Sequence, residues 1–477
     1  MNGYLVAIVL YALVLIAIGW FIGKKVKGAG GFFVAGRQLT TGLLFTTLIA
    51  ANIGAGSTVG VAGIGYKFGI SGWWWIGSAG IGSMILAYVI GPKIWRISCR
   101  YNLYTLGDYL DLRYSKAFRG LISGMMAIGT LALFSGQLIG VAWILNVVAN
   151  IDKVWGILIG ACVTTLYFAA GGLLSAAIVN IVEVVVILLG FALATPFVIS
   201  YVGGWSGLAA SVTQKLGTEG TAQFFSWKGI GATTIIGYLF MLIPSFCISP
   251  GLIGKVYGAK NERAIKIGTA LNGVVQLIFA FSPVIIGMCA FAAFPNLANR
   301  ELALPTAMKE MMPFAVSTLA LAAIFAAEVS TADAVLYMLT TSISNDIVKT
   351  FFRPNLSEQG LLKLSRKVTL ICGVIGVALA IVMPNILTAL QIFYSLMSVS
   401  LAAPLFLGLF CRKASSKGAI LSAAGGIIIT LFLQFANGGK GIWILNATST
   451  GILFSFVIMI VSIFIFPTTK AQLDYKR

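Results

Sequence analysis

Apolar runs of about 20 residues, the length that crosses a bilayer as helix, recur along almost the whole sequence. Few folds are open to such a chain. Where no water reaches, every backbone amide must find a partner within the protein, which leaves helices or a closed barrel. Barrel strands would show shorter segments of alternating polarity, so these runs select helices. Composition agrees: 59% of the residues are hydrophobic and 9% charged, against about 25% charged in soluble proteins. The fold class expected is an all-α polytopic membrane protein. Thirteen spans are expected, near 4–23, 40–66, 71–92, 120–149, 154–171, 176–202, 229–253, 267–293, 313–346, 368–384, 386–411, 418–437 and 449–467. Trp73, Trp74 and Trp75 suit an interfacial belt at the start of the third. The connections are too short for a separate core, so 1–477 reads as a single transmembrane domain.

A net charge of +19 invites a nucleic-acid reading, but the placement of the charges argues against it. With the N-terminus outside and spans alternating, 25 of the 32 Lys and Arg fall on the cytoplasmic side. That set includes Lys24, Lys25, Lys27, Arg96, Arg100, Lys255, Lys260, Arg263, Arg366, Lys367, Arg412 and Lys413. This is the positive-inside bias that sets topology. It predicts a multi-pass protein of the cytoplasmic (inner) membrane with its C-terminus inside, touching anionic lipid headgroups and no nucleic acid. The first span has no basic residue before it and no small-residue cleavage site after it, unlike a signal peptide. The chain contains no His, which excludes His-based metal sites and proton relays. Neither a phosphate-binding Gly loop nor a nucleophilic triad is present, so an enzyme is not expected.

Two spans are interrupted. The stretch 49–63, IAANIGAGSTVGVAG, carries Asn52, Gly54, Gly56, Ser57, Thr58 and Gly60, each costly to helix stability or to burial in lipid. The second, 241–260, is broken by Pro244, Pro250, Gly251 and Gly254, since Pro and Gly disrupt helical hydrogen bonding. The second interrupted span comes five spans after the first. That interval fits two inverted five-helix repeats, each opening with a discontinuous helix. The repeats would cover 40–202 and 229–411, with an extra helix at 4–23 and two more in 418–467. Small residues alone more often mark close helix packing; two matching breaks point toward a site, because freed backbone groups need partners.

The ninth span contains AAIFAAEVSTADAV, 322–335. Ala327, Ser330 and Thr331 have i, i+3, i+4 spacing and share a helical face. Two hydroxyls beside a carbonyl are hard oxygen donors of the kind Na⁺ takes, although Ser and Thr also bond back to their own helix.

These stretches, LIAANIGAGS and AAEVSTADA with LYFAAGGLLSAA (166–177) between them, resemble the sodium:solute symporter family. Ala170, Gly171, Gly172 and Leu173 match its pattern around the Gly-Gly pair, while Phe168 departs from the small residue usual there. The resemblance implies a LeuT-type core of inverted repeats and Na⁺ as coupling ion. It implies a sodium site made by the carbonyls of Ala50, Ile53 and Ala327 and the hydroxyls of Ser330 and Thr331. Residues Ala50–Ser57 would then be the unwound middle of a discontinuous helix. Solute would lie beside the break, with Asn52, Gly56, Ser57, Gln137, Ser245, Cys247, Ser249 and Tyr394 as candidate lining. Sugar-carrying members have Asn-Gln-Tyr before a Gln-Arg pair in the second broken helix; here Ser249, Pro250 and Gly251 precede Gly254 and Lys255. Family members with a second sodium carry an Asp where this chain has Asn180, which implies one sodium per cycle.

The function expected is a sodium-coupled symporter importing a small organic solute (an amino acid, organic acid or similar nutrient) by alternating access. The protein would be a monomer or weak oligomer. Intramembrane acids are functional candidates by default, and Glu183, Glu328 and Asp333 are three. Glu328 and Asp333 each sit about 110° from the centre of the Ala327/Ser330/Thr331 face, at about 100° per residue. Bonding to neighbouring helices is therefore expected of them ahead of proton or substrate binding. Proton coupling through these two is the alternative, and a transceptor-like solute sensor another.

Overall fold

The computed structural model describes residues 3–23, 33–466 and 468, leaving aside the side chains of 19, 20, 22, 23, 166, 167, 169–172, 174 and 175. Lys24, Lys25 and Lys27, and the side chains of Ala170, Gly171 and Gly172, lie outside that set. The described chain is almost all helix. In order these are α1 (Gly3–Gly23), α2 (Thr41–Asn52), α3 (Val61–Phe68), α4 (Trp73–Ile85), α5 (Gly91–Arg100), α6 (Leu106–Arg113) and α7 (Lys116–Ala149). Then come α8 (Lys153–Tyr201), α9 (Gly204–Phe224), α10 (Ala232–Ile248), α11 (Pro250–Tyr257), α12 (Glu262–Phe279) and α13 (Phe281–Ala293). The last six are α14 (Ala303–Glu310), α15 (Phe314–Thr341), α16 (Glu358–Val382), α17 (Ile386–Phe410), α18 (Ser416–Ala436) and α19 (Ala447–Ile465). Short π-helical segments at Gly56–Gly60, Leu86–Ile90 and Ser342–Phe352 extend their neighbours.

Helix starts follow the polar residues between the apolar runs. Thr105 and Asp108 form a capping box on α6, and Ser115, Asp152, Asn261, Asn385 and Asn446 cap α7, α8, α12, α17 and α19. Each satisfies an amide that the helix leaves without a partner.

Ten helical segments among the described residues are long and apolar enough to cross a membrane, with three shorter apolar helices at Gly3–Ile18, Thr41–Asn52 and Lys153–Thr165. The expected count of thirteen is thus not reproduced. The spans expected over 154–171 and 176–202 are carried by one helix, α8, of 49 residues. At 1.5 Å per residue it is about 73 Å long, more than twice the hydrocarbon thickness. The expected loop 203–228 is largely the helix α9, which bends at Gly217 (φ 71°).

The belt reading fails for one tryptophan. Trp75 is buried and stacks edge-on against Tyr238 and Tyr394, whereas Trp73 and Trp74 donate to the carbonyls of Leu277 and Trp227.

The core centres on α15, which packs most extensively against α8 and also against α7 and α2. Exposed apolar side chains line the outer helices instead, as on Leu421, Ile428, Phe432 and Phe435 of α18. The two broken segments are joined at one end. Leu39 N–H donates to Gly258 O and Lys260 N–H to Leu39 O, both at 2.9 Å. Arg37 clamps the same corner, donating to Tyr257 O at 3.1 Å, Ser98 O at 3.0 Å and Leu103 O at 2.9 Å.

Candidate functional site

Both interruptions are real breaks, and both are narrower than the sequence suggests. Helix α2 continues to Asn52, and Ile53 leaves helical geometry (φ −101°, ψ 94°). Helical winding resumes at Gly56, so the unwound part is Ile53–Ala55 rather than Ala50–Ser57. In the second, Pro244 sits inside α10, and the break is Ser249 alone (φ −50°, ψ 125°) before Pro250 opens α11. Pro is at home there because the first helical turn needs no N–H.

At the first break the freed carbonyls turn toward α15. Ser330 Oγ donates to the carbonyls of Ala50 and Ala327, both at 3.1 Å. Thr331 Oγ1 lies 2.9 Å from Ala50 O and 3.0 Å from Ile53 O. Five oxygens from two helices remote in sequence therefore lie in one cluster, and all five belong to positions named from the resemblance. Ser330 and Thr331 are buried. Gly54 makes the approach possible, because a Cβ there would lie 2.5 Å from Thr331 Oγ1 and 2.6 Å from Gln137 Oε1.

The remaining polar groups hold the break in shape. Gln137 Oε1 accepts from Ala55 N–H at 2.9 Å, Ser57 Oγ donates to Asn52 O at 2.8 Å, and Thr58 Oγ1 donates to Gly54 O at 2.9 Å. Thr58 Oγ1 also lies 2.8 Å from Glu328 Oε1. Glu328 therefore faces the broken helix and not the oxygen cluster, as its angular position on α15 implied.

A cavity of about 40 Å³ separates the two breaks, lined by Asn52, Ser245, Ser249, Lys255, Phe393 and Tyr394 among others. It has room for a few waters. Four of the eight candidate solute residues thus line one space: Asn52, Ser245, Ser249 and Tyr394. The other four do not. Gln137 and Ser57 are spent on the backbone of the first break. Gly56 is covered by Leu390, whose Cδ2 would meet a Cβ at 2.1 Å. Cys247 Sγ points away, to Gly82 O and Ile243 O. A second cavity of about 550 Å³ lies between α10, α17, α18 and α19, with Met241, Gln391, Ser395, Gln434 and Asn446 in its wall. Met241 is one helical turn from Ser245, and Ser395 adjoins Tyr394.

Sequence reasoning misplaced Lys255. Counted above as a cytoplasmic topology charge, it is buried at 2% exposure, with Nζ 2.5 Å from Thr47 O. The available signal was its setting in LIGKVY, apolar on both sides. Asn272, which pairs with Asn52 at 3.2 Å, and Ser398, 2.7 Å from Ser245 Oγ, gave no signal above ordinary helix polarity.

The chain matches the model of the sodium:solute symporter family over residues 32–426. It is 25% identical over 467 residues to a sodium/glucose cotransporter of Vibrio parahaemolyticus, covering 89% of this chain and 84% of that one. It is 28% identical over 450 residues to the sodium/pantothenate symporter of Escherichia coli K12, covering 90% and 91%. Its fold is that of a solved Na⁺-coupled sialic acid symporter, with a TM-score of 0.82, 19% identity and coverage of 98% and 99%. A LeuT-type helical core, Na⁺ coupling and a multi-pass membrane location follow. The chain belongs to the sodium:solute symporter family, whose members are transporters that move a small solute together with Na⁺.

Proposed function

We propose that this symporter binds one Na⁺ at the oxygen cluster of Ala50, Ile53, Ala327, Ser330 and Thr331 and imports a small organic acid, amino acid or similar nutrient. The single observation that carries this reading is the convergence of the three carbonyls and two hydroxyls. Na⁺ is hard and exchanges its water for such oxygens. Those hydroxyls donate to the very carbonyls with which they would share the ion, so all five oxygens already lie together. Solute binds between the breaks, in the cavity lined by Asn52, Ser245, Ser249 and Tyr394, which widens as the helices part. Because both sites touch the first broken helix, sodium orders the solute site and solute tightens sodium by the same factor. The repeats run over 40–202 and 229–411. The N-terminus lies outside and the C-terminus inside.

Glucose and galactose are outside this reading, since Ser249, Pro250 and Gly251 replace the sugar-binding set. Coupling to protons gains one observation, that Glu328 Oε2 is buried without a partner in the described structure. Sodium is favoured because Glu328 bonds to Thr58 rather than into the oxygen cluster.

The test is a thermal-shift screen of the purified protein against a metabolite panel, with Na⁺ and with choline. The hit should stabilise only with Na⁺, and concentrative uptake in proteoliposomes should vanish in choline. Full accumulation driven by a proton gradient alone would sink the sodium reading.

A further inference from the structure

One buried group at the edge of the solute cavity makes no contact with the sodium cluster's five oxygens among the hydrogen bonds given above. Lys255 of α11 lies where three other helices, α2, α8 and α15, present oxygens. Its Nζ donates to Thr47 O of α2 at 2.5 Å. It interacts electrostatically with Asp333 of α15 and Glu183 of α8. Asn180, one turn before Glu183, donates through Nδ2 to Thr47 Oγ1 at 3.1 Å. Its Oδ1 is buried without a hydrogen-bond partner, as are both carboxylate oxygens of Glu183 and the hydroxyl of Tyr11 on α1, which interacts electrostatically with Glu183. Glu183 and Asp333 are at 0% and 1% exposure.

The structure assigns Lys255 the role of a tethered cation that occupies, by its ammonium, what is otherwise a second monovalent-cation site formed by Thr47, Asn180, Glu183 and Asp333. Buried carboxylates demand a positive partner, and removing that partner leaves an uncompensated charge. Here the partner is covalently attached to α11, immediately beyond the second break, and it cannot leave with the solute. The pocket keeps oxygens to spare: an ammonium offers three hydrogens, while the surroundings hold two carboxylates, an amide oxygen and a carbonyl. A small cation taking more contacts at once fits the surplus. This rests on the one-sodium reading above and gives it a structural cause. Thr47 and Ala50 lie one turn apart on α2, so the tethered ammonium and the transported sodium are held by the same half-helix. Lys255 also borders the solute cavity.

The experiment counts ²²Na⁺ bound per purified full-length protein, with no solute present. Wild type should hold a single sodium, lost in Ser330→Ala. Lys255→Met, which keeps the side chain's length and removes its charge, should hold a second. In that variant Ser330→Ala should remove one and Glu183→Gln the other. Lys255→Arg should keep the count at one. The Lys255→Met protein should melt below wild type in choline chloride and recover with NaCl more steeply than wild type, because ligand binding to the folded state stabilises it. In the wild-type background Glu183→Gln should leave the single sodium in place. A Lys255→Met count that stays at one and is lost with Ser330→Ala overturns the proposal while the sodium cluster stands. A wild-type count insensitive to Ser330→Ala overturns the cluster instead. If Lys255→Met does not fold in either salt, loss of the wild-type sodium on Glu183→Gln overturns the proposal, and its retention supports it.

Discussion

The two broken helices are built by opposite means. At Ile53–Ala55 nearly every freed group has a designated partner: Ser330 and Thr331 take the carbonyls of Ala50 and Ile53, Thr58 takes Gly54 O, and Gln137 holds the Ala55 amide. At Ser249 one residue bends the chain, Pro250 removes the amide that would need a partner, and the Ser249 hydroxyl has Met338 Sδ at 3.9 Å as its neighbour. The first break is therefore over-determined and the second sparsely tethered. An ion needs oxygens fixed at set distances, whereas a solute site can vary its side chains as long as the backbone opens. On the function proposed above, the difference teaches that coupling uses the tightly held break and recognition the sparsely held one.

The largest effect should come from crowding the first break. Gly54→Ala places a methyl 2.5 Å from Thr331 Oγ1 and 2.6 Å from Gln137 Oε1, displacing both. Sodium-driven uptake of the solute found by screening should be abolished. Gly251→Ala at the second break meets Met338 Sδ at 3.4 Å, an ordinary contact with a flexible side chain, and should retain most activity. Equal loss in both would break the comparison.

Next in size is the removal of one hydroxyl. Ser330→Ala or Thr331→Ala should weaken sodium activation by about 1–3 kcal/mol, the cost of losing one oxygen contact to a charge, taken on the scale of a charge-assisted hydrogen bond. Ser249→Ala should shift the solute KM and leave the sodium dependence within about a factor of three, as a partner-poor hydroxyl contributes little. Sodium titrations of initial uptake rates separate the two.

Gln137→Leu tests whether the first break needs its support. It leaves the Ala55 N–H buried and unsatisfied, at a cost of about 1–3 kcal/mol. The melting temperature should fall even in the absence of Na⁺, and Gln137→Glu, which keeps an acceptor, should recover part of the loss. No change in either variant would mean that the break is not held by this bond.

The smallest effect concerns a latch on the turn that packs beside the helix resuming after the first break. Glu301, at 2% exposure, accepts from the Trp143 indole and from Ile386 N–H, both at 2.8 Å, and so ties the Arg300–Leu302 turn to α7 and α17. Burial pushes its carboxyl above the ordinary glutamate range, against those two hydrogen bonds and the nearby Arg300 and Lys153, which pull it down. A raised folded-state value means the stabilising term is complete below the ordinary glutamate pKa and is lost as pH rises through the raised one. Wild type minus Glu301→Gln should therefore show a melting temperature that climbs on mild acidification. A flat difference across that range would remove Glu301 from the latch.

Much of this molecule was legible as a pattern. The breaks appeared as Gly54, Gly56, Pro250 and Gly251 inside apolar runs, and the hydroxyls of Ser330 and Thr331 as neighbours on one helical face. Boundaries were less legible: Ala50 and Asn52 stay helical, because the hydrogen bonds of α2 persist up to the residue whose carbonyl leaves. The solute list was half displaced for a similar reason. Ser57, Gln137 and Cys247 are polar positions near a break, yet each is spent on a backbone group that had to be satisfied locally.

By itself the sequence determined that the chain is a bundle of membrane helices, since lipid offers backbone amides no partner and apolar length is read directly. It also determined which of those helices break, since Gly and Pro weaken the helix around them. Only the tertiary structure decided what the breaks face. Whether Lys255 meets the aqueous side or two buried carboxylates depends on α2, α8 and α15 meeting around α11, and no local pattern encodes a contact between residues 208 positions apart.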